Sequence, residues 1–116
     1  MNLYTCTIDL KNDARALNFA KALDDWMGHL RAQGVILRWR LLRRKLNLAA
    51  GPYRDFLLEI EVEDLSQLDR AFRVLGQHDD NVDTLYRAVN SQIAVAEFAL
   101  YRPFPDPERS ERMALV

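Results

Sequence analysis

The stretch VILRWRLLRRKLNLAAGPYRDFLLEIEVE, residues 35–63, decides how the rest of this chain is read. It predicts two long strands, Val35 to Leu46 and Arg54 to Val62, joined by a loop carrying Ala49, Ala50, Gly51 and Pro52. Side chains alternate faces along a strand. In the first strand Leu37, Trp39 and Leu41 therefore oppose Arg38, Arg40 and Leu42. In the second, Phe56, Leu58, Ile60 and Val62 oppose Leu57, Glu59 and Glu61. Each strand has one apolar face and one face where charge is mixed with leucine.

Working outward toward the N-terminus, Leu3 to Leu10 also alternates. Tyr4, Cys6, Ile8 and Leu10 make one face, and Leu3, Thr5, Thr7 and Asp9 the other. Lys11-Asn12-Asp13 then offers side chains that accept from the free N–H groups of a helix start. From Ala14 the apolar spacing becomes helical, with Phe19, Leu23, Trp26, Met27 and Leu30 on one stripe. Gly34 ends that helix, because it tolerates the left-handed backbone a helix terminus often needs.

Toward the C-terminus, Asp64 with Gln67 three residues on has capping-box spacing. It opens a helix whose buried stripe is expected to be Leu65, Leu68, Phe72 and Leu75, stopped by Gly76. Val82, Leu85, Tyr86 and Val89 recur in a shorter third helix, with His78-Asp79-Asp80 read as its cap rather than as a metal cluster. Ile93 to Tyr101 is the last strand. Ala94, Ala96, Phe98 and Leu100 are assigned to its core face, and Ile93, Val95, Glu97, Ala99 and Tyr101 to the other. Pro103, Pro105 and Pro107 end regular structure. The expected organisation is one domain over residues 1–103 and a proline-containing tail over 104–116.

Strand, helix, strand, strand, helix, strand is the α+β, ferredoxin-like plan, a four-stranded antiparallel sheet with helices on one face. The uncovered face would then hold Leu3, Thr5, Thr7, Arg38, Arg40, Leu42, Leu57, Glu59, Glu61, Ile93, Val95, Glu97 and Tyr101. Its leucines, valine, isoleucine and tyrosine make a larger apolar patch than a soluble monomer normally leaves bare. A second copy related by a two-fold axis is the expected cover, giving a homodimer through the open sheet face.

Composition narrows the function classes. The chain has 116 residues, 16 basic and 17 acidic, and 49% of them are hydrophobic. That charge balance gives no field for nucleic acid or membrane. The βαββαβ plan also serves RNA-recognition domains, which stack bases on sheet aromatics. Here the middle strands instead present Thr5, Thr7, Leu57, Glu59 and Glu61, whose carboxylates would repel phosphate. Cys6 is the sole cysteine, and no signal peptide or membrane-spanning run is read, so a cytoplasmic location is expected. Glycine-rich phosphate loops, paired CxxC, HExxH and GxSxG are absent. A haem would need an axial ligand on an apolar wall, where neither His29 nor His78 falls. No metal or cofactor is expected.

Arg38 and Arg40 with Glu59 and Glu61 form the leading constellation. One reading is a guanidinium held for an anionic or enolate oxygen with a carboxylate as base. The other is an ion-pair network that fixes strand register and partner orientation in a dimer interface. Glu97, among apolar neighbours, is either a general base with a raised pKa or a partner for Arg38 or Arg40 across the interface. Arg38, Arg40 and Glu97 are thus the catalytic candidates. Thr5, Thr7, Glu59, Glu61 and Tyr101 join them as ligand or interface residues.

The element order, the arginine-bearing second strand and the small size resemble the dimeric α+β barrel superfamily over about Asn2 to Pro103. The chain looks like one of its small bacterial branches. That superfamily includes cofactor-free monooxygenases, lactone isomerases, dye-decolourising and chlorite-degrading haem proteins. The resemblance implies a homodimer and a ligand cavity, with no enzymatic signature to transfer. The leading expectation is a small homodimeric ferredoxin-like protein of unassigned function; the barrel resemblance adds a cofactor-independent monooxygenase or isomerase acting on a small organic acid or polyketide-like molecule, and the strand order by itself adds an ACT-like small-molecule-sensing module.

Overall fold

A computed structural model describes residues 1–46 and 48–105. It contains β1 (Asn2–Leu10), a 3-10 turn (Asp13–Arg15), α1 (Ala16–Ala32), β2 (Arg38–Arg43), β3 (Phe56–Val62), α2 (Leu65–Leu75), α3 (Asp80–Asn90) and β4 (Ile93–Tyr101). The strands form one antiparallel sheet in the order β2-β3-β1-β4. This is the ferredoxin-like α+β architecture expected from the sequence. The tail expected over 104–116 lies outside the described residues beyond Pro105.

Local chemistry accounts for the element ends. The Asn12 side chain accepts from the Ala14 N–H at 3.0 Å and starts the 3-10 turn that leads into α1. Gly34 takes the expected left-handed backbone at φ 71°. At the start of α2 Asp64 Oδ1 accepts from the Gln67 N–H at 2.8 Å, and Gln67 Oε1 reaches one residue beyond the cap to accept from the Glu63 N–H at 2.7 Å. Gln67 Nε2 also donates to the Gly34 carbonyl at 3.1 Å, so one buried side chain ties the start of α2 to the end of α1. Asp79 caps α3 by accepting from the N–H groups of Asn81 and Val82.

The core lies between the sheet and the helices. Phe19, Leu23, Trp26, Met27 and Leu30 of α1 pack over Cys6, Ile8, Phe56, Leu58 and Ile60. Phe19 is fully buried, its ring 5.6 Å from that of Phe56. The edge of the Trp26–Tyr86 ring pair, 6.1 Å between centroids, joins α1 to α3. Burying each such side chain contributes roughly 1.5–3 kcal/mol.

Four expectations change. The strand expected from Val35 to Leu46 pairs only over Arg38–Arg43; Val35 and Ile36 are buried in the lead-in, and Leu46 turns away with φ 56°. The strand expected from Arg54 pairs from Phe56. In β4 the register shifts between Asp9↔Val95 and Leu10↔Ile93, so Ala94 is an extra residue. A one-residue slip reverses side-chain direction. Ile93, expected on the open face, therefore packs against the core, and Ala94 is exposed. Finally, the eleven-residue α2 leaves part of the sheet uncovered: Phe72 is 51% exposed and Phe98 63%, although both were expected in the core. Leu65 is exposed as well, while Gln67 and Val74 take the buried positions of α2.

Candidate functional site

The chain builds two different surfaces on its one sheet. The molecule is 19 Å through its thinnest direction, which is one layer of strands and one of helices. The second face of the sheet therefore has no cover among the described residues.

On that open face the register aligns side chains in rungs. Arg38, Glu61, Leu3 and Tyr101 share one rung; Arg40, Glu59, Thr5 and Ala99 the next; Leu42, Leu57, Thr7 and Glu97 the third. The sequence-predicted charges meet directly across β2 and β3: Arg38 Nε lies 2.8 Å from Glu61 Oε2, and Arg40 Nε pairs with Glu59 Oε1. The arginine side chains are 75% and 68% exposed, and their carboxylate partners only 19% and 13%. The guanidinium heads thus stand above the carboxylates that hold them. Arg38, Arg40, Glu59 and Glu61, with Met1, Leu3 and Trp39, border a depression of about 330 Å³.

Glu97 sits elsewhere. It accepts from Arg54 Nε at 2.7 Å, and Arg54 also reaches Asp9 Oδ2 at 2.9 Å through Nη1. Within the chain its partner is therefore Arg54, not Arg38 or Arg40. The Asp55 N–H donates to Asp9 at 3.0 Å, and this bond, followed by that from Arg54, holds the Asp9 carboxyl below its ordinary pKa. Arg54 is held protonated more firmly still by Asp9 and Glu97. Asp9 and Arg54 were missed as site residues because they meet through pairing of distant strands. Their only sequence signal is that Asp9 shares the open face. Thr5 and Thr7 turn their hydroxyls sideways, donating to the carbonyls of Ala99 at 3.3 Å and Glu97 at 3.5 Å. Tyr101 closes the first rung with an exposed ring.

On the helix side lies a cavity of about 380 Å³ between sheet and helices, within the size range of small-molecule sites. α1 contributes Trp26 and Met27, α2 contributes Leu68 and Phe72, α3 contributes Tyr86 and Asn90, and β1 and β4 contribute Tyr4, Cys6 and Phe98. Tyr4 stacks on Phe98 and meets the edge of Phe72, each 5.8 Å between centroids. Among the described residues, no Asp, Glu, Lys, Arg or His lines this space. Burial pushes the Cys6 thiol up to about 11 and raises the Tyr4 hydroxyl as well, so both stay protonated near neutrality. The wall can therefore donate hydrogen bonds from tyrosine, indole and carboxamide groups and bury apolar area, but it supplies no ionised base. Periodicity did not reveal this cavity, because a void is a difference between layers rather than a property of one residue.

A sequence profile for a family of unknown function, DUF6614, matches residues 1–116. The chain belongs to this family. No curated protein matches it. Solved structures share its fold at low identity. A dabb family protein with a ferredoxin-like fold from Mesorhizobium loti is 19% identical, with a TM-score of 0.63 over 89% of this chain and 96% of that one. SnoaB, a cofactor-independent oxygenase from Streptomyces nogalater, is 12% identical, with a TM-score of 0.65 over 90% and 97%. A dimeric ferredoxin-like protein of unknown function from Thermobifida fusca is 14% identical, with a TM-score of 0.58 over 88% and 90%. These solved structures share the ferredoxin-like α+β fold of this chain, the fold that the sequence resemblance implied. No helix among the described residues is long and apolar enough to cross a membrane.

Proposed function

We propose that this protein is a bacterial, cytoplasmic homodimer that holds an uncharged, planar aromatic molecule in the cavity between sheet and helices. The observation that carries the reading is the lining: aromatic rings and aliphatic side chains with tyrosine, indole and carboxamide groups among them, and no ionised residue among the described residues. A carboxylate placed there would lose its hydration without gaining a cation, a cost of several kcal/mol. Of the two ligand classes expected from the sequence, the polyketide-like molecule fits and the small organic acid does not. Arg38, Arg40, Glu59, Glu61 and Glu97 lie on the other face of the sheet, and their proposed role is assembly. The dimeric ferredoxin-like neighbour and the exposed Leu42, Val95 and Tyr101 support that assignment.

A matched pair of ligands tests the ligand class. 2-Naphthol should raise the melting temperature in proportion to its concentration, whereas 2-naphthoate, of similar shape but anionic, should not. An equal shift with both would overturn the reading.

A second reading, a cofactor-independent oxygenase or isomerase, is favoured by the fold shared with SnoaB. In such an enzyme Tyr4, Tyr86 and Asn90 would donate hydrogen bonds to an oxyanion of the substrate. Oxygen uptake with a panel of hydroxylated polycyclic aromatics tests it. Uptake that Tyr86→Phe lowers supports the oxygenase, and no uptake from any ligand that binds removes it.

A further inference from the structure

The apolar stripe of α2 extends past the cavity. Leu65, Leu68 and Phe72 recur at helical spacing along one side of α2. Phe72 meets the ring of Tyr4 on β1, which stacks on Phe98 of β4. Leu100 pairs with Tyr4 and Phe98 with Cys6, so both project from the helix face of β4. Leu65, Phe72, Phe98 and Leu100 are all exposed. β3 and β4 both run against β1, and α2 follows β3, so α2 starts at the end of the sheet where β4 finishes. An apolar strip therefore runs between α2 and β4, from Leu65 and Leu100 at that end to Phe72 and Phe98 at the mouth of the cavity.

The chain leaves the sheet at the outer end of this strip. Arg102 Nε donates to Oδ1 of the buried Asn2 at 2.9 Å, which anchors the residue after β4 beside the start of β1. Beyond Pro105 the sequence reads DPERSER over 106–112 and MALV over 113–116, a polar spacer and an apolar end. Phe98 lies seven residues before Pro105, and Met113 eight after it. At about 3.3–3.6 Å per residue, the spacer is long enough to recross the span from Pro105 back to Phe98. The family profile that matches the sheet also covers this segment through residue 116.

We propose that Met113, Leu115 and Val116 dock in the strip between α2 and β4 of their own chain and close the mouth of the cavity. Removing apolar surface from water on both sides of the contact drives the docking. It concerns the entrance of the cavity and not the molecule inside it.

Thiol reactivity in the full chain tests this. Leu100→Cys places a thiol beneath the docked segment, and Leu37→Cys places one near the opposite edge of the sheet; the two leucines are 46% and 39% exposed. Buried Cys6, protonated near neutrality, gives the parent chain a low background. Iodoacetamide should modify L100C about tenfold more slowly than L37C, and adding Leu115→Asp should bring the two rates together. Equal rates in the two single variants overturn the docking. So does a slow L100C that Leu115→Asp leaves slow, because another group then covers the position. Oxidation of the L100C/L115C chain should form a disulfide within one chain, and a disulfide joining two chains overturns the assignment to the same chain. With 2-naphthol absent throughout, failure here leaves the ligand reading standing, and failure of the thermal shift leaves the docking standing.

Discussion

The two faces of this sheet are made by the same strands, yet they solve opposite problems. On the helix side, Cys6, Ile8, Phe56, Leu58 and Ile60 are buried beneath the helices, and the cavity between the layers is lined, among the described residues, by apolar and neutral polar groups. On the open side the strands alternate to Leu3, Thr5, Leu57, Glu59 and Arg40, where ion pairs and apolar side chains share each rung. Water would satisfy the charges but not the leucines, and hydrocarbon the leucines but not the charges. A surface with the same mixture satisfies both. In the function proposed above, the first face binds the ligand and the second associates.

The comparison breaks most visibly if a helix-side change and an open-face change behave alike. Phe19→Ala removes a fully buried ring from the first face and should cost about 3–5 kcal/mol of folding stability, read by urea denaturation. Leu57→Asp on the open face should leave the subunit folded while weakening association by on the order of 3 kcal/mol, roughly a hundredfold in Kd, read by sedimentation. Ala71→Trp, which fills the cavity wall, should abolish the thermal shift given by 2-naphthol while the oligomer stays unchanged. Asp64→Ala removes the cap of α2, the helix that walls the cavity, and should lower stability by about 1 kcal/mol.

The smallest effect belongs to Asp9. Its folded pKa lies below the unfolded value of about 3.9. Its contribution is therefore complete above that value and disappears as pH falls below it toward the folded pKa. Asp9→Asn should flatten the acid limb of a stability–pH curve below about pH 4 and leave the neutral region nearly untouched.

Much of this contrast was legible in the sequence, because alternation sets which face a strand residue occupies. The cap formed by Asp64 and Gln67 and the left-handed Gly34 follow from short spacings, and alternation puts Arg38, Arg40, Glu59 and Glu61 on one face, where the register of β2 and β3 sets which arginine meets which glutamate. What escaped depends on distant parts of the chain. The extra residue at Ala94 reverses Ile93, and only pairing with β1 reveals it. Arg54 meets Asp9 and Glu97 across strands more than forty residues away in sequence, so the cation that Glu97 meets within the chain is not legible from spacing. Phe72 and Phe98 were placed in the core by their spacing; the reach of α2 leaves both at the mouth of the cavity instead.

Light scattering on a sizing column, run on the parent chain across the micromolar range, tests the division of labour most directly. A mass of twice the 13.5 kDa of one chain, lost in L57D and kept in A71W, is the predicted result. A mass of one chain at every concentration would contradict it, since the open face would then be shown to stand in water by itself.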